Sequence, residues 1–158
     1  MTPAKITKTK KPAARKPANI WTDEERAAMQ ASASERKATA RRDPADERAE
    51  GELEVKTKLA GMPTADRIMG ERINELVTTA VPSLAPKTYY GMPADAKAGK
   101  VICFYKPASK FKVRYSTFEF QADARLDDGE MWPVSFAVTK LTPAVEARIV
   151  ALVKQAAS

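Results

Sequence analysis

Histidine is absent from this chain, cysteine occurs once, and the six glycines are scattered singly. Without histidine, no Ser-His-Asp or Cys-His nucleophile arrangement and no two-histidine metal motif can be built. A lone thiol, Cys103, excludes an intrachain disulfide and a Cys/His zinc site, and it suits a reducing cytoplasm. Scattered glycines leave no Gly-rich phosphate loop. Long hydrophobic runs are missing too, and nothing approaches the ~20 apolar residues of a membrane span. Between Met1 and Asn19, Ile6 is the one large aliphatic residue, against the ~7–15 apolar residues of a secretory signal. A cytoplasmic location is therefore expected.

What is present is charge, unevenly distributed. The chain has 158 residues and a net charge of +7. Residues 1–20 carry basic groups and no acid, residues 21–52 are net acidic, 53–85 are balanced, and 86–158 are net basic. Residues 1–19 form a Lys- and Pro-rich segment that cannot bury a core and is expected to be a disordered basic tail. Such a tail serves solubility or tethers the chain to nucleic acid.

Periodicity divides the rest into an N-terminal helical extension over 20–63 and an α+β domain over 64–158. Thr22 and Glu25 form a capping box that opens a first, Ala-rich helix running to about Lys37. Asp43-Pro44 reads as a second start, a capping Asp with Pro at the first helical position. That helix carries Val55, Leu59 and Met62 towards its end. Met69, Ile73, Leu76, Val77 and Ala80 form the apolar stripe of a third helix, which Pro82 stops. From Lys87 the period is two. Lys100–Tyr105 reads as a strand covered on both faces, between turns at Asp95–Gly99 and Lys106–Lys110. Phe111, Val113 and Tyr115 alternate with Lys112, Arg114 and Ser116. Phe118 and Phe120 have the opposite parity, which calls for a bulge near Ser116–Thr117. Trp132, Val134, Phe136 and Val138 alternate as a half-buried strand. Thr142-Pro143 caps a last helix with Val145, Ile149, Leu152 and Val153 on its docking side. The order predicts an antiparallel sheet of about five strands covered on one face by helices.

The run Lys87-Thr-Tyr-Tyr-Gly-Met-Pro93, with Gly99–Phe104, Lys110–Tyr115 and Leu126-Asp-Asp-Gly-Glu-Met-Trp-Pro133, resembles the YdhG-like family of unknown function. That family is grouped with the frataxin-like YjbR/CyaY proteins. The resemblance runs from about Ile20 to the C-terminus and implies the same helix-covered antiparallel sheet. It also implies a non-enzymatic cytoplasmic protein, an iron chaperone or a binder of another small ligand. The alternative is a nucleic-acid-associated protein that uses the basic tail and the Lys-rich hairpin.

Four groups of residues are candidates for chemistry. Tyr89, Tyr90, Met92 and Trp132 are grouped as a shallow ligand cleft; the simpler account is aromatic core. Asp123, Asp127, Asp128 and Glu130 offer hard oxygen donors to a metal such as iron, or form a solvated turn. Asp43, Asp46, Glu47, Glu50 and Glu54 share a helical face as an acidic stripe that also suits a helix start. Lys106, Lys110, Lys112 and Arg114, with Lys97 and Lys100 before them, are candidates for polyanion contact, or guard a strand edge. No residue set forms a catalytic motif.

Overall fold

The computed structural model describes residues 20–41, 43 and 46–158. The basic tail and Pro44 lie outside the described residues. The elements are α1 (Asp23–Thr39), α2 (Glu47–Ala60), α3 (Thr64–Ala80), β1 (Ala85–Tyr89), β2 (Met92–Lys97), β3 (Lys100–Lys106), α4 (Ala108–Phe111), β4 (Ser116–Phe120), β5 (Ser135–Val138) and α5 (Pro143–Ala156). The strands form one sheet in the order β1-β2-β3-β4-β5, every neighbouring pair antiparallel. The fold is α+β, as the change of period predicts.

Two-residue turns make the first two hairpins. Tyr90-Gly91 and Ala98-Gly99 all have positive φ, from 49° to 78°. That pairing of signs belongs to the primed turns whose twist matches the flanking strands. At Gly91 a Cβ would crowd chiefly the movable end of the Lys110 side chain, so it is the positive φ of 74° that favours glycine here.

The main core lies between the sheet and α3 and α5. Ile73 and Val77 of α3, Ile149 and Val153 of α5, and Tyr105, Phe118, Phe120 and Val138 of the sheet are all buried. A full side chain of this kind is worth ~1.5–3 kcal/mol of burial. Arg72 on α3 grips Glu146 on α5 through two bonds, Nε to Oε1 at 2.9 Å and Nη2 to Oε2 at 2.8 Å. Thr142 caps α5 as expected, its hydroxyl accepting from the Val145 N–H. α2 lies over β1 and β2 on the same side, so closely that a Cβ on Gly51 would clash with the Pro86 carbonyl oxygen. The opposite face carries a smaller cluster of Met92, Ala94 and Phe104, with Tyr89, Val101 and Phe111 against it.

Some expectations are corrected. Residues 111–115 are not a strand. Pro107 starts the short helix α4, Lys112 leaves it in the left-handed region at φ 51°, and Val113 and Tyr115 are exposed. The alternation there reflects no buried face. The irregularity in pairing lies elsewhere: Asp95 pairs with Cys103 while Ala96 pairs with Val101, which leaves Ile102 as an extra residue on β3. This bulge turns both Ile102 and Cys103 into the main core, while Val101 and Phe104 serve the opposite face. The run therefore reads as continuously apolar. α2 begins at Glu47, after an Asp46 whose side chain makes no capping bond, rather than at Asp43. The last strand starts at Ser135 and not Trp132.

Candidate functional site

The first helix is joined to the sheet at the β1–β2 turn. α1 begins with its capping box, Thr22 N–H to Glu25 Oε2 at 2.7 Å and Glu25 N–H to Thr22 Oγ1 at 3.1 Å. It buries little, only Ala28 and Ser32, so polar links position it. Glu35 Oε1 accepts the Gly91 N–H at 2.6 Å, and Lys112 pairs with Glu24. From the other side, Lys110 Nζ donates to the Tyr90 carbonyl at 2.8 Å. The Tyr90-Gly91 turn is thus held between a carboxylate and an ammonium. Burial, reinforced by Lys58 and opposed by Glu35, lowers the pKa of Lys110.

This arrangement leaves a cleft of ≈470 Å³ between α1 and the β1–β3 surface. Its walls include Tyr89, Tyr90 and Val101 on the sheet and Ser32, Glu35, Arg36 and Thr39 on α1, with Lys87 beside them. Tyr89 and Tyr90 meet edge to face at 4.7 Å, and Tyr89 leans on Phe104 at 5.2 Å. Burial, then the neighbouring Tyr90 and Glu119, pushes the Tyr89 hydroxyl above its ordinary pKa, so it stays a protonated donor. Arg36 and Lys87 have no ion-pair partner among the described residues. A second hollow of ≈440 Å³ lies on the other flank of α1, between it and α2, with Glu35, Glu54, Lys58 and Thr88 in its lining.

Of the residues grouped as a cleft from sequence, the structure brings Tyr89, Tyr90 and Met92 together at the first hairpin. Trp132 packs instead against the main core, on the α3–α5 side. Arg36, Lys87 and Ser32 were missed. Nothing in α1's sequence marks which of its charges would meet β1, because the join depends on a helix–turn contact 56 residues apart in the chain.

The acidic turn does not converge. Asp123 pairs with Lys100 at 3.1 Å, and Asp127, Asp128 and Glu130 are exposed. Among the described residues no group of three or more His, Cys, Asp or Glu side chains is placed to hold a metal ion. In the acidic stripe, Glu54 accepts from the Thr88 hydroxyl at 3.2 Å. Arg48 on the same helix bonds Glu52 and the Pro82 carbonyl. Among the polyanion candidates, Lys110 and Lys112 are engaged as described. Lys106 stands over the Phe111 ring at 4.8 Å and Arg114 over Tyr115 at 5.0 Å. Cys103 is fully buried, and burial raises its thiol pKa well above the ordinary value, so it is an inert core side chain.

No helix among the described residues is long and apolar enough to cross a membrane. Comparison with protein-family models, with curated proteins and with solved structures finds no match to this chain.

Proposed function

We propose that this chain is a non-enzymatic binding protein whose cleft between α1 and the β1–β3 surface takes a small planar anion. The observation that carries the reading is the composition of that cleft. Two tyrosines and Val101 supply an apolar, aromatic wall, and two cations without carboxylate partners among the described residues, Arg36 and Lys87, stand beside it. Its volume falls in the ~300–1,000 Å³ range of small-molecule sites. An aromatic face stacks a planar ring, and a guanidinium fork matches a carboxylate in two parallel hydrogen bonds. Glu35 also lines the cleft, but its Oε1 is occupied by the Gly91 N–H.

The five-stranded antiparallel sheet with helices over one face supports the YdhG-like resemblance, and the small-ligand reading keeps one of its implications. Iron, the other, has no such grouping of donors to favour it among the described residues. The nucleic-acid alternative loses two of its proposed contacts to internal bonds, since Lys110 and Lys112 are already paired.

Titration with salicylate, an aromatic carboxylate, tests the reading, with tyrosine fluorescence and the melting temperature as readouts. A saturable response is expected, weakened roughly tenfold by Arg36→Ala and again by Lys87→Ala, since each removes a charge-assisted bond. Neutral salicylamide should give a weaker response than salicylate. Absence of saturation, or an affinity in both variants equal to the parent's, overturns it.

A further inference from the structure

The two edges of the sheet are treated differently. α1 lies against β1, whereas β5 is the other outer strand, with β4 as its only strand neighbour among the described residues. Phe120 N–H donates to the Val134 carbonyl at 2.8 Å. In an antiparallel ladder such bonded pairs alternate with unbonded ones. The register Phe118↔Phe136 and Ser116↔Val138 continues the bonded set. Ser135 and Ala137 therefore turn their N–H and C=O groups to the free edge, and both residues are exposed. Edge strands are ordinarily protected by a charge, a proline or a bulge. Val134–Thr139 contains no charged residue and no proline, which stand just outside it as Lys140 and Pro133, and the β4–β5 register runs without a shift.

We propose that this edge pairs with β5 of a second copy of the chain, antiparallel about a two-fold axis through Phe136. Ser135 then bonds Ala137 of the partner copy, and the partner's Ser135 bonds Ala137, so that all four edge-facing groups of each pair are used. Continuing this register outward sets Val134 against Val138 of the partner copy and Met131 against Leu141 of the partner copy. Val134 is 43% exposed and Met131 90% exposed in the single chain. Both gain an apolar neighbour by this pairing.

Charge selects a second copy over an unrelated strand. Asp127, Asp128 and Glu130 precede the neutral segment, and Lys140 follows it. Glu130 and Lys140 have no ion-pair partner within the described residues of their own chain. Antiparallel self-pairing places Lys140 opposite Trp132 of the partner copy, within two residues of the partner's Glu130. The acidic flank of each copy meets the basic flank of the other. Parallel pairing would set acid beside acid. With so short an edge the dimer is weak and concentration-dependent.

Sedimentation velocity of the full chain over a concentration series tests this. A reversible monomer–dimer equilibrium is expected. The Ser135→Lys/Ala137→Lys double variant should remain monomeric, because its introduced ammonium groups face each other across the axis. Both side chains are exposed, so its circular dichroism and melting temperature in dilute solution should match the parent. Lys140→Glu should weaken association several-fold, and adding Glu130→Lys should restore it. This charge exchange decides the matter even if the double variant fails to fold. A monomer at every concentration overturns the proposal. So do open-ended assembly, association unaltered in a folded double variant, or no recovery on exchanging the charges.

Discussion

Asp95 sits on β2 with its carboxyl buried and Oδ1 without a hydrogen-bond partner among the described residues. Burial pushes its pKa up to about 7, against a smaller opposing pull from Arg48. The folded chain therefore holds this proton more tightly than the unfolded chain, whose aspartate titrates near ~4. Stability from the protonated form is complete below ~4 and is lost as pH rises from there through the folded value near 7. This group's share should fall by up to ~1.4 kcal/mol per pH unit across that window. Urea unfolding of the parent and Asp95→Asn at pH 5 and pH 8 checks the sign. The variant should show the smaller decline between the two, and a parent gaining stability through the variant-sensitive part of that window would refute the assignment. From the sequence, Asp95 reads as the opening residue of a hairpin turn. Only the pairing of β2 under α2 and α3 shows that it is enclosed.

At the scale of elements, α1 is the segment whose place depends most on a few polar contacts. Its sequence specifies the helix, through Thr22, Glu25 and a run of good helix formers. It supplies little apolar surface to dock with. Glu35→Ala should therefore leave α1 helical but loosen it from the β1–β2 turn, removing a charge-assisted bond worth ~1.5–3 kcal/mol. Hydrogen exchange should quicken at Gly91 and along α1, while β3 amides keep their protection. Equal loss of protection in β3 would show that α1 is integral to global unfolding instead. Helices α3 and α5 were legible because their apolar positions recur at helical spacing. The segment 111–115 misled because alternation of polar and apolar residues occurs by chance over five positions. Pro107 and the left-handed turn at Lys112 decide its shape.

For the whole molecule, the location of the core gives the sharpest contrast. Phe118 is 1% exposed beneath α3 and α5, and Tyr115, three residues earlier, is 37% exposed. Phe118→Ala should cost ~3–5 kcal/mol, whereas Tyr115→Ala should stay within about 0.5 kcal/mol of the parent. Chemical denaturation of both variants reads this directly, and comparable losses would mean that residues 111–115 do pack as a strand. Sequence by itself determined the helix starts at Thr22 and Thr142, the turn ending at Gly99, the antiparallel α+β class and the exclusion of histidine chemistry. These follow from local backbone preference and from short-range period. Tertiary structure alone decided the bulge at Ile102, the enclosure of Asp95, the separation of Trp132 from Tyr89 and Tyr90, and the placing of Arg36 and Lys87 on one cleft. Each of those depends on which distant segments pack together, and side-chain packing between segments leaves no period in the chain for a reader to find.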